Sequence, residues 1–150
     1  MIGTTTIHVP RMHAQHASSP LPLFDRFASA APDRHPSGVE RLRASLRYDL
    51  TRLFNTRNAL TIAQFMSDTP TPFNYGMPDT LALSAQAAPD LQRWELVITR
   101  AIALYEPRLI QLRVKAAPVP LHPAAVHVSI SAMAQCSGQL CQFAFETRLA

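Results

Sequence analysis

The chain has 150 residues, enough for one domain that buries roughly two-thirds of its unfolded surface without disulfide or metal staples, and 47% hydrophobic with only 16% charged residues excludes a disordered regulator. Thirteen arginines face one lysine, Lys115, for a net charge of +4. The excess is confined to residues 1–57, which carry eight arginines against four acids, so no continuous phosphate-tracking basic run forms. Arginine in place of lysine suits planar, bidentate pairing with carboxylates, as at protein interfaces.

Residues 1–20 mix His, Thr, Ser, Pro and Gln without an apolar period and read as a flexible N-terminal arm. They lack the apolar h-region of a signal peptide, and no run approaches the ~18 apolar residues of a membrane span. The expectation is a cytoplasmic chain with no membrane insertion. Leu21, Leu23, Phe24 and Phe27 then gather around Asp25 and Arg26, an apolar cluster expected to dock on the single domain that occupies residues 21–150.

Ser37 and Glu40 have capping-box spacing, so a helix is predicted to begin there, with Val39, Leu42, Leu46, Leu50, Leu53 and Phe54 as its apolar stripe and Arg41 and Arg52 pointing away. Ala59 to Met66 has weak periodicity and reads as a short helix. Asp68 to Pro72 breaks regular structure, and Phe73 to Ala88 reads as loop and short turns. Pro89 and Asp90 open a second helix with Leu91, Trp94, Ile98, Ala101, Ile102 and Tyr105 on one face, ended by Pro107.

The period then changes to two. Ile110, Leu112, Val114 and Ala116 alternate with Gln111, Arg113 and Lys115; Val126, Val128, Ile130, Ala132 and Ala134 alternate with His127, Ser129 and Ser131; Cys141, Phe143 and Phe145 make a third strand after a Ser137-Gly138 turn. Helices followed by strands predict an α+β fold, with the helices packed on one face of a small antiparallel C-terminal sheet of about three strands. Such a sheet leaves a free edge, a row of unpaired N–H and C=O groups open to an incoming strand.

Chemistry is sparse. No histidine spacing matches a zinc motif, Cys136 and Cys141 read as reduced hairpin residues, and four glycines provide no phosphate-cradling loop, so neither metal nor cofactor is expected. There is no G-x-S-x-G elbow, and ten acids select no carboxylate pair for glycoside hydrolysis. Trp94 and Tyr105 fall on an apolar helix face, which argues against single-strand nucleic-acid platforms. Glu106 stands out: at a helix C-terminus it needs a cationic partner, and either a local salt bridge with Arg108 or a role at an interface satisfies that need.

LFDRF from Leu21, SLRYDLTRLFNTR from Ser45 to Arg57, NYGMPD from Asn74 to Asp79 and YEPRL from Tyr105 to Leu109, followed by three alternating strands, resemble the TssE family. These are baseplate components of the type VI secretion system, related to the wedge protein of contractile phage tails and often labelled lysozyme-like. The resemblance covers roughly residues 21–150. It implies a structural, non-enzymatic role: docking on larger wedge subunits, and starting sheath polymerisation by strand exchange at the membrane-docked baseplate. Its EPR word, here Glu106, Pro107 and Arg108, implies the anchor on the wedge core. Arg47 and Asp49 of the R-x-DL word and Arg57 of the NTR word are the supporting polar residues, and Val126, Val128, Ile130, Phe143 and Phe145 mark the sheath-contact strands. The partners implied are wedge and sheath subunits, with no small-molecule substrate and no nucleic acid. The alternative is a peptidoglycan-cleaving glycosidase, with a nucleic-acid module behind it. This chain departs from the family pattern in the stretch after NTR, at Phe54 where Leu is usual, and at Thr51 where an acid is common.

Overall fold

The computed structural model describes residues 37–67 and 71–149. The predicted arm and the Leu21 to Phe27 cluster lie outside them, as does part of the predicted break at Asp68 to Pro72. Helix α1 (Gly38–Asn55) starts where the capping box places it: the Glu40 N–H donates to Ser37 Oγ at 3.2 Å, and the Ser37 N–H donates to Glu40 Oε2 at 2.8 Å. Its buried positions are Ser45, Leu46, Leu50, Leu53 and Phe54, so the apolar stripe holds with one hydroxyl inserted in it.

The predicted short helix is a strand followed by a helix. Strand β1 (Arg57–Thr61) pairs in parallel with β2 (Met77–Asp79), and the crossover carries α2 (Ile62–Ser67) and a 3-10 turn (Pro72–Asn74). Phe73 to Ala88 therefore contains a strand and not only loop. Strands of five and three residues are too short to show a period, and Pro78 inside β2 hides it further. What makes the pairing possible is Gly76: its φ is +112°, and a Cβ there would lie 2.5 Å from the Thr56 carbonyl oxygen, the same oxygen that accepts from the Met77 N–H at 2.8 Å.

Helix α3 (Ala88–Tyr105) buries Trp94, Val97, Ile98, Ala101 and Ile102. The C-terminal sheet runs β3 (Leu109–Val119), β4 (His122–Cys136), β5 (Gln139–Leu149), antiparallel and in that spatial order. The α+β architecture is as predicted, with α1 and α3 on the inner face of the sheet and Phe54 stacked on Phe145 at 6.2 Å between centroids. Ser137 and Gly138, both at positive φ, form the two-residue β4–β5 turn. One strand departs from its alternation. Gln111 sits at φ 52° in a bulge between Ile110 and Arg113, which shifts the phase, so Leu109 is buried and Ile110 is exposed. Cys136 and Cys141 are free thiols.

Candidate functional site

Tyr105 closes α3, and Glu106 caps it, its N–H donating to the Ile102 carbonyl at 2.8 Å. Pro107 stops the helix. The Leu109 N–H then returns to the Glu106 carbonyl at 3.1 Å, so three residues turn the chain from helix into β3 with little freedom left. That corner aims Arg108 back under α1.

Arg108 is the hub. Its Nε and Nη2 donate to Glu106 Oε1 and Oε2, each at 2.5 Å, a two-pronged fork; Nη2 also reaches Asp49 Oδ2 at 2.5 Å, and Nη1 donates to Ser45 Oγ at 3.1 Å. The Ser45 hydroxyl donates in turn to Asp49 Oδ2 at 3.3 Å. Glu106 is 4% exposed, and a carboxylate so buried is tolerated only with this pairing. The hydrogen bond to Glu106 is the main reason Arg108 holds its proton even more firmly than a free guanidinium, against the opposing effect of burial and with Asp49 adding to the pull.

Beside this network lies a cavity of about 480 Å³ lined by Asp49, Arg52, Leu53, Tyr75, Tyr105, Glu106, Pro107 and Arg108. Tyr105 donates its hydroxyl to the Asn74 carbonyl at 2.5 Å and meets the Tyr75 ring edge-on at 5.1 Å, and the Arg52 guanidinium stands 5.9 Å over Tyr75. Burial raises both phenols above their ordinary value of 10.0, opposed at Tyr75 by Arg52 and at Tyr105 by Arg100. Asn58 is a residue that sequence reading misses. Its Nδ2 donates to the Asn74 and Gly76 carbonyls at 3.0 and 2.9 Å, and its Oδ1 accepts from the Leu60 N–H at 3.0 Å, which pins the segment that carries Tyr75. Its sequence signal is slight: it directly follows the NTR word, 16 residues before the NYG word whose carbonyls it holds.

The predicted site residues divide three ways. Glu106, Pro107, Arg108 and Asp49 come together; Arg47 is exposed and outside the network; Arg57 turns to Thr80 Oγ1 at 3.3 Å, in the wall of a second cavity. The strand residues fall on two strands. Val126, Val128 and Ile130 are at most 1% exposed on the central strand, whose two sides are both paired. Phe143 and Phe145 lie on the outer strand β5, Phe143 in the core and Phe145 stacked on Phe54. Among the described residues the outer strands are β3 and β5. On β3 the Ala116 N–H is already given to Glu95 Oε1 at 3.1 Å, and Pro118 has none to give.

Among the described residues no group of His, Cys, Asp and Glu gathers to hold a metal ion, and no helix is long and apolar enough to cross a membrane. A family model described as baseplate wedge protein gp25 matches residues 40–139, a span that takes in the R-x-DL, NTR, NYGMPD and EPRL words. No curated protein matches the chain. Among solved structures, one described as the baseplate complex from the type VI secretion system is similar at 20% identity with a TM-score of 0.48, covering 74% of this chain and 96% of that one.

Proposed function

We propose, from the premise that this chain belongs to the baseplate wedge protein gp25 family, which includes the TssE proteins, that it is a structural, non-enzymatic component of a type VI secretion baseplate acting on the cytoplasmic side. It docks on wedge subunits through the corner at Glu106, Pro107 and Arg108, and starts sheath polymerisation by accepting or donating a strand. The observation that carries the docking half is the corner itself: Ser45, Asp49 and Glu106 all meet the Arg108 guanidinium, which supports the cavity wall of Arg52, Tyr75 and Pro107. A partner meets a preorganised surface, so little conformational entropy is lost on binding.

Internal pairing changes the roles within the EPR word. Glu106 and Arg108 satisfy each other and act as positioning residues, while exposed Arg52 and Pro107 are the contact groups. For the sheath, β5 is the edge we assign, because β3 is blunted by Glu95 and Pro118. The glycosidase reading draws no support from the corner, since Glu106 and Asp49 both grip the same guanidinium and leave no room for a sugar bond between them.

Two variants test this. Arg52→Glu, at an exposed position, is expected to abolish capture of wedge subunits in a pull-down while the chain stays folded with a small fall in melting temperature, from the lost contact with Tyr75 and an acid at the end of α1; undiminished capture rejects the docking surface. Ala144→Pro, exposed on β5, is expected to block sheath assembly in cells and spare wedge capture. Normal sheaths reject the β5 assignment.

A further inference from the structure

The second cavity, about 610 Å³, lies between the β1–β2 pair, the loop that follows β2 and the start of β4. Its walls are mainly apolar, with Leu81, Leu83, Trp94 and Pro123 among them, and Arg57 and Asp79 add one charge of each sign. Trp94 is 3% exposed, yet among the described residues its indole N–H has no acceptor. A buried donor left unpaired is costly, and a carbonyl brought in by an occupant removes that cost. The loop wall is a built one: the Leu81 N–H donates to Asp79 Oδ1, the Leu83 N–H to the Thr80 carbonyl, both at 3.0 Å, and Gln86 Nε2 ties it to the Pro123 carbonyl at 3.4 Å. Even so, Leu81 is 92% exposed.

We propose that this cavity seats the chain's own residues 21–27, LPLFDRF, as an intramolecular plug. Three features select that occupant. Leu21, Leu23, Phe24 and Phe27 supply the apolar side chains that the walls match, and Asp25 and Arg26 match the charges of Arg57 and Asp79. Each peptide unit of the segment carries a carbonyl acceptor, which is what Trp94 lacks, and Pro22 brings no N–H that an apolar wall would leave unpaired. The reach is sufficient. The ten residues from Phe27 to Ser37 span up to about 35 Å, and α1, which separates Ser37 from the cavity residue Arg57, is about 27 Å long. This inference is independent of the docking and sheath assignments.

The chain has one tryptophan, so its full-length form gives a single indole N–H cross-peak in a ¹⁵N–¹H spectrum. Phe24→Ser with Phe27→Ser is expected to move that peak upfield, as a lost hydrogen bond does, and to make Trp94 emission more sensitive to acrylamide. A peak that stays put overturns the plug, as does one that moves only when a wedge subunit is added, which gives the cavity to a partner instead. As a second measurement, Phe27→Cys is paired with Leu81→Cys in a Cys136→Ser, Cys141→Ser background. It is expected to close an intramolecular disulfide faster than the pairing of Phe27→Cys with Leu140→Cys. Leu140 is the demanding control: α1 begins beside the β4–β5 turn, where Gly38 lies against Ser137 Oγ, so an undocked segment favours it. Faster closure to Leu140 overturns the proposal.

Discussion

At the Arg108 corner every charge is answered by a neighbour: Glu106 by a two-pronged fork, Asp49 by the same guanidinium, Ser45 by both. Around Trp94 the walls are mostly apolar, and among the described residues its buried indole N–H is left without an acceptor. The difference teaches what each cavity contributes. A polar network whose members satisfy one another in a partly buried place stabilises a shape, so its members are hard to replace. An apolar cavity edged by a leucine that is 92% exposed leaves apolar surface for an occupant to cover.

Removing the hub breaks this contrast most sharply. Arg108→Ala leaves a nearly fully buried Glu106 carboxylate without its partner, and urea unfolding is expected to show a loss of about 3–5 kcal/mol. A loss near zero means the network is ornamental and the two cavities are alike. Next comes Gly76, which joins the cavities, since Tyr75 before it lines the first and Asp79 beyond it lines the second. Gly76→Ala is strained in φ and collides with Thr56, so a loss of more than about 1 kcal/mol is expected, with weakened β1–β2 pairing visible in amide hydrogen exchange.

The phenols give a pH test confined to the polar cavity. Burial raises the pKa of Tyr75 and of Tyr105, so the folded chain binds these protons more tightly than the unfolded one. Their contribution is intact below about pH 10 and is lost as pH rises through the raised folded values. Tyr75→Phe combined with Tyr105→Phe is expected to flatten the alkaline fall in stability followed by circular dichroism; an unchanged slope removes the phenols from the account. The smallest effect belongs to the apolar cavity. Leu81→Ser is expected to lower the stability of the full chain by about 1 kcal/mol, because the docked segment covers a side chain that is otherwise almost wholly exposed. A loss below about 0.5 kcal/mol shows that Leu81 stays uncovered and counts against the plug.

Both long helices and the sheet were legible because each has enough repeats for a period to emerge. The capping box marked Ser37, Pro107 marked the end of α3, and Ser137 with Gly138 marked the last hairpin. The β1–β2 pair was not legible: its strands are short, its pairing is parallel, and its key requirement is the absence of a Cβ at Gly76. The phase of β3 was misread at its start, since a bulge inverts inside and outside without altering composition. The candidate site was half legible. Glu106 announced its need for a cation, and the EPR and R-x-DL words brought Arg108 and Asp49 into view, but nothing in the chain order separated Asp49 from Arg47 or predicted the role of Asn58.

By itself the sequence determined the class of fold, the extent of the helices, the three-strand ending and the family words, because these depend on local periodicity, caps and turn chemistry between near neighbours. Only the tertiary structure decided that Arg108 pairs with acids from two elements 59 and 2 residues away, that β4 is central and so has no edge to offer, and that a lone indole N–H lies beside an apolar cavity. Those outcomes rest on which side chains meet across the core, and on which hydrogen-bonding groups are left over once they have met.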